Sequence, residues 1–179
     1  MKKEQLNPDD VFFIGDTEGS LPLLVKCVNE IMEAAEKSDI VIFHLGDITI
    51  QSENDAAWKR TMPILDEILG LNKSRMFMVR GNKDNPNLFE LGKAFWGDNI
   101  IPVGSLKAFE NFLIIPGGIS FDRRFRIKDK DWWPEECIDM VDDEWLDENK
   151  DNIDFVVSHV PPMLYEEEQK LFFYCDRQL

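Results

Sequence analysis

Short apolar runs alternate with longer amphipathic stretches along most of this chain, and the alternation predicts strands and helices in turn. Val11–Ile14, residues 40–45 and residues 76–79 read as three strands. Residues 20–37 read as the helix after the first strand, with Pro22 early in it, where a missing N–H costs nothing. Residues 54–69 read as the helix after the second, packing Trp58, Ile64, Leu65 and Ile68 inward and ending at Gly70. Residues 86–96 read as a short helix after the third. Ile100–Val103, residues 106–109 and Phe112–Ile115 read as strands, the last two joined through Glu110-Asn111 as a hairpin. A helix over 142–149, a strand over 154–158 and a final helix over 163–173 complete the series. Alternation of this kind is the mark of a βαβ architecture. There are no repeats, low-complexity tracts or linkers, so residues 1–179 read as one domain.

Bulk properties narrow the function classes. A chain of 179 residues buries about 70% of its unfolded surface, enough for one core. The start, Met1-Lys2-Lys3-Glu4-Gln5-Leu6-Asn7-Pro8, lacks the apolar stretch of a secretion signal. No segment approaches the ~18 apolar residues of a membrane span. The expected setting is therefore cytoplasmic, in a bacterial cell or a phage-infected host. Cys27, Cys137 and Cys175 are too few and too scattered to frame disulfides or bind zinc, and read as reduced thiols.

The net charge is −15, and residues 131–154 hold eleven acidic side chains against one basic one, Lys150. Such a surface repels nucleic acid. It attracts a basic protein partner, with an on-rate that falls as salt rises. The same pattern also describes a solvated helix face, with Ile138, Val141 and Trp145 as its apolar stripe.

The chemistry sits where the strands end. Gly15-Asp16-Thr17-Glu18-Gly19, Gly46-Asp47 and Gly81-Asn82-Lys83-Asp84 follow the first three strands, and Ser158-His159-Val160-Pro161-Pro162 follows the run Phe155 to Val157. A strand ending in Gly-Asp or Gly-Asn sets a hard oxygen ligand at its carboxyl end, where open α/β sheets bind ligands. Taken singly, Asp16, Asp47 and Asn82 are ordinary turn and cap residues. Four such strings in order are a different matter.

Together they resemble the calcineurin-like metallophosphoesterase family, whose pattern runs Asp-x-His, Gly-Asp, Gly-Asn-His-Asp/Glu, a lone His and then Gly-His-x-His. The resemblance covers roughly residues 11–162. A further string, Gly117-Gly118-Ile119-Ser120-Phe121-Asp122-Arg123 followed by Trp132-Trp133-Pro134-Glu135-Glu136, is similar to the small bacterial and bacteriophage branch. The fold this implies is α/β, a sandwich of mixed β-sheets flanked by helices. It is shortened at its C-terminal end, because the residues after His159 are too few for the family's last strand and histidine loop.

The resemblance also implies two divalent ions about 3.5–4 Å apart that clamp a phosphate and generate hydroxide near neutral pH. Carried over residue by residue, the first ion has Asp16, Asp47 and Glu18, and the second has Asp47, Asn82 and His159. Mn or another divalent cation is implied, as one ion, two or none. Three departures from the family stand out. Glu18 replaces a histidine ligand. Lys83 replaces the histidine that assists the leaving group. Gly-His-x-His is absent, since His44 and His159 are the only histidines and His44 reads as a packed strand residue.

Carboxylates suit Mg²⁺ and Mn²⁺, so Glu18 makes the first site harder and more anionic. An ammonium binds no metal and, with a reference pKa of about 10.4, is a poor proton donor. Nearby carboxylates oppose any lowering of that value by burial. If Glu18 and Lys83 face each other, the pair takes over the neutralising work of an ion. Removing one member of such a pair, if buried, costs about 3–5 kcal/mol.

Asn82, Lys83 and Arg123 are the candidate phosphate-binding side chains. Arg123, Arg124 and Arg126 suit bidentate phosphate contacts or pairing with the acidic segment equally well. Trp132 and Trp133 read as packing rather than as a base-stacking platform.

Two functional readings follow. In the first, the chain is a degenerate metallophosphoesterase that binds a protein or a phosphate-containing small molecule without effective catalysis; one version is a phage-type inhibitor of a basic host protein. In the second, it is a Mn-dependent phosphoesterase acting on small phosphomonoesters or phosphodiesters through an altered site.

Overall fold

A computed structural model describes residues 6–35, 37–120, 122–136, 143–160, 163–165 and 170–172. Val11–Ile14 (β1), Val41–His44 (β2), Arg75–Val79 (β3) and Ile100–Val103 (β4) form one parallel sheet in sequential order. Side chains alternate across a strand with period two, and here both faces are apolar. Ile14, Ile42, Met76 and Met78 point into one core; Val41, Phe43, Phe77 and Val79 point into another.

Because the strand order never reverses, right-handed crossovers carry every connecting helix to the same face. Leu21–Ala35 (α1), Ala56–Leu71 (α2) and Lys93–Trp96 (α3) accordingly share the first core, through Leu24, Val28, Trp58, Leu65 and Trp96 among others. The second apolar face then needs a different cover, which a second sheet supplies. Lys107–Phe109 (β5) runs antiparallel to Phe112–Ile115 (β6), and Phe155–Ser158 (β7) runs parallel to β6. Phe112, Ile114 and Val157 meet the first sheet there, with the Phe43 and Phe112 rings 5.2 Å apart and the Phe77 and Phe109 rings 4.5 Å apart. The expected α/β class, with two sheets and flanking helices, is present.

Several local expectations are corrected. The helix α2 starts after Asp55, whose carboxylate accepts from the backbone N–H of Ala57 and Trp58 at 2.8 and 2.9 Å. It runs through Gly70 and ends at Asn72. Its buried stripe is Trp58, Met62, Leu65 and Leu69, a helical spacing that leaves Ile64 on the solvent side, 51% exposed. The single helix expected over 86–96 is two pieces, a 3-10 turn at Pro86–Glu90 and α3, separated by an extended Gly92. Where a helix is expected over 163–173, the described residues are two antiparallel strands, Met163–Tyr165 (β8) against Lys170–Phe172 (β9), in keeping with the strand preference of its aromatic residues. The other positions of that segment lie outside the described residues.

Asp143–Asn149 (α4) exposes Glu144, Asp147 and Glu148 to solvent, and Lys150 pairs with Asp147 at 2.9 Å. Ile138 and Val141, the expected apolar stripe beside Trp145, lie outside the described residues, as do Cys137 and Cys175. Cys27 is half-buried and free. Among the described residues no helix is long and apolar enough to cross a membrane.

Candidate functional site

The carboxyl ends of β1, β2, β3 and β7 deliver Asp16, Asp47, Asn82 and His159 to one place. Glycine makes the approach possible. A Cβ on Gly81 would collide with the backbone N and Oδ1 of Asp47, and one on Gly46 would collide with the His159 ring. Gly46 also has φ +107°, a conformation that L side chains rarely adopt. Asp47, Thr49 and Glu18 have positive φ as well, at 51°, 61° and 48°. For a β-branched residue such as Thr49 that is strained, and strain of this kind gathers at functional sites. Asp84 ties the loops together from behind. Its buried carboxylate accepts from Thr49 N at 2.6 Å and Gly81 N at 2.7 Å. Burial pushes its pKa up to about 6 against the pull of those backbone donors.

The inner half of the site is a wired network. His159 Nδ1 lies 2.7 Å from the Leu45 carbonyl oxygen, which only accepts, so Nδ1 carries a proton. Nε2 lies 2.9 Å from Asn82 Oδ1 and 3.4 Å from Asp47 Oδ1. The orientation of the Asn82 amide follows from its other neighbours. Glu136 is buried, and its carboxylate accepts from Ser120 Oγ at 2.6 Å and Ser120 N at 2.9 Å. The Ser120 hydroxyl spends its hydrogen there and must accept from Asn82 Nδ2, 2.8 Å away. Asn82 Oδ1 is thereby turned toward His159. Three acceptor atoms, His159 Nε2, Asn82 Oδ1 and Asp47 Oδ1, converge, and the His159 and Asp47 side chains are each 5% exposed. Such a cluster needs a positive charge within it, either a proton on Nε2 or a cation.

The outer half is open and ion-paired. Asp16, Glu18 and Asp47 each present an oxygen within 4.8 Å of the others, a grouping able to hold a metal ion. Lys83 Nζ pairs with Glu18 Oε1 and lies 3.5 Å from Asp47 Oδ2. Burial lowers the lysine pKa, but the Glu18 and Asp47 carboxylates outweigh it and hold the ammonium above its usual value. Glu18 is about half exposed, so the pair is not the buried one assumed from sequence, and its cost of removal belongs to the surface range. Asp16 stands between the halves, 3.9 Å from His159 Nδ1, and burial raises its pKa.

Other candidates fall elsewhere. Arg123 begins the 3-10 turn Arg123–Phe125, and among the described residues no hydrogen bond or ion pair links its guanidinium to these carboxylates. Arg126 pairs with Asp122 at 2.8 Å and donates to the Asp131 carbonyl at 3.2 Å, while Arg124 lies over the Phe125 ring. Trp133 is buried as packing. His44 is fully buried; it accepts from Gly46 N at Nδ1 and therefore donates from Nε2 to Thr17 Oγ1 at 3.1 Å. Burial, helped by the nearby His159, lowers its pKa to about 4, so it stays neutral and structural.

Ser120 and Glu136 were missed as site residues. Both lie in strings that stand out in the sequence, but neither is a ligand type at a strand end, and only the fold shows that they orient Asn82. No family model, no curated protein and no solved structure matches this chain. The chemistry of the site therefore rests on its own geometry.

Proposed function

We propose that this chain is a degenerate metallophosphoesterase-type scaffold that binds a phosphate-containing ligand through a divalent cation held by Asp47, Asn82 and His159, with little or no hydrolysis. The observation that carries this reading is the convergence of His159 Nε2, Asn82 Oδ1 and Asp47 Oδ1, fixed in that arrangement by Leu45, Ser120 and Glu136. One imidazole nitrogen, one amide oxygen and one carboxylate oxygen make a donor set suited to Mn²⁺ or a similar divalent ion. A histidine whose second nitrogen is pinned by a backbone carbonyl is the usual support for such a ligand.

When bound, the cation supplies Lewis-acid polarisation of a phosphoryl oxygen. The protein's own residues hold and orient. Lys83 points a compact charge at the same space and suits a phosphate oxygen. Proton donation is the weak point. An ammonium held above its ordinary pKa does not release its proton readily at neutral pH. His44, buried behind Thr17, has no route to a leaving group.

Calorimetry tests the reading. Inorganic phosphate is expected to bind the Mn²⁺-loaded protein and not the chelator-treated one. Asp47→Asn is expected to lose both Mn²⁺ and phosphate. Failure of millimolar Mn²⁺ to bind would reject the site, and rapid aryl-phosphate turnover abolished by Asp47→Asn would replace a degenerate scaffold with a working enzyme.

A further inference from the structure

We infer that the Lys83 ammonium is a built-in cation holding the outer half of the site, so that this chain takes up one divalent ion where its ligand positions would otherwise accommodate two. The inference rests on the reading of the inner half as a cation site and assigns the outer half.

The carboxylate of Asp47 is shared between two environments. Its Oδ1 faces His159 Nε2 at 3.4 Å and accepts from the backbone N–H of Lys83 at 3.0 Å. Its Oδ2 faces the ammonium of the same lysine at 3.5 Å. Asn82 and Lys83, adjacent in the chain, thus straddle Asp47, one contributing an acceptor to the inner side and the other a positive charge to the outer side.

The outer side needs that charge. Three carboxylates with oxygens within 4.8 Å of one another repel strongly unless a cation lies among them. Glu18 is held there by its backbone, since its N–H donates to the Asp47 carbonyl at 3.0 Å and its φ is +48°. The backbone thus sets where the Glu18 side chain starts, and the Lys83 ammonium is the contact that holds its half-exposed carboxylate at the cluster. Lys83 meets Glu18 and Asp47 directly, and an ammonium has three donors, so one remains for Asp16 or an incoming phosphate oxygen. A divalent ion at the same oxygens would sit against that ammonium, like charge on like charge. Unlike an ion, the lysine is covalently attached and no chelator removes it.

Mn²⁺ titration of four proteins followed by calorimetry, with melting temperatures measured in chelator and in Mn²⁺, tests this. The parent chain and Lys83→Arg are expected to bind one ion. Lys83→Met and Lys83→His are expected to bind two, the histidine variant more tightly because imidazole is itself a ligand. Lys83→Met is expected to melt lower than the parent in chelator and to regain more from Mn²⁺ than the parent does. Should Lys83→Met not fold, Lys83→His decides. Two ions on the parent, or one on both variants, would overturn the built-in cation while leaving the inner site intact. No uptake by any of the four would remove the inner site and the inference with it.

Discussion

The two sides of Asp47 solve the same electrostatic problem differently. On the inner side, the His159 side chain is buried and Asn82 half-buried, and both are locked by Leu45, Ser120 and Glu136. The atoms they turn toward Asp47 call for a proton on Nε2 or a cation between them. On the outer side, Glu18 and Lys83 are partly exposed and held by little except each other and their loops, and one ammonium lies among the three carboxylates. A rigid set of converging acceptors with no cationic side chain of its own among them is suited to an incoming ion. A looser site with its own counter-charge is not. Burial and hydrogen-bonded support, rather than the number of acidic groups, distinguish the half proposed to bind an ion from the half that carries its own ammonium.

The comparison breaks first at Gly81. Gly81→Ala places a Cβ against the backbone and carboxylate of Asp47 and is expected to cost about 3 kcal/mol and abolish Mn²⁺ binding, read by denaturant melts and calorimetry. Retention of parent affinity would mean that the two loops are not held at contact distance.

Next in size is a pH effect from behind the site. His44 titrates ordinarily at 6.5 and, buried, at about 4. As pH falls below 6.5 the unfolded chain takes up that proton and the folded chain does not, so stability drops until about pH 4, by about 3 kcal/mol at ~1.36 kcal/mol per unit. Asp84 acts with the opposite sign. Its pKa rises from 3.8 to about 6, so the folded chain protonates first and gains a similar amount as pH falls through that interval. The two nearly cancel in the parent. In the difference between parent and variant melts, which removes the other carboxylates, His44→Gln is expected to gain relative stability from pH 6.5 to 4. Asp84→Asn is expected to lose it from pH 6 to 4. Profiles parallel to the parent would show that neither group is desolvated as described.

Smaller still, Ser120→Ala frees the Asn82 amide to turn and is expected to weaken Mn²⁺ binding by about 10–100-fold, beside a stability loss of about 1–3 kcal/mol because the buried Glu136 carboxylate loses its hydroxyl donor. An unchanged affinity would separate the inner half from its support. Glu18→Gln sharpens the contrast from the other side: a loss of about 0.2–1 kcal/mol, because the pair is half in water.

Much of this was legible in the chain. Buried strands ending in Gly-Asp and Gly-Asn announce themselves, because continuous apolar runs and positive-φ turn residues follow directly from burial and loop geometry. Ile64 and the segment 163–173 misled for a local reason. An apolar residue near a helical stripe, or an aromatic run after two prolines, does not reveal which face or which period tertiary packing selects. Ser120 and Glu136 were opaque for a deeper one. Their roles depend on which way one amide points, and that is decided by a chain of hydrogen bonds linking residues 16, 38 and 77 positions apart.

The most direct test is an anomalous-scattering map from crystals of the unmodified chain grown with Mn²⁺. The account predicts one manganese peak, coordinated by His159 Nε2, Asn82 Oδ1 and Asp47 Oδ1, with Lys83 Nζ still against Glu18. A peak among Asp16, Glu18 and Asp47 with Lys83 displaced, or a map without manganese at His159, would contradict it.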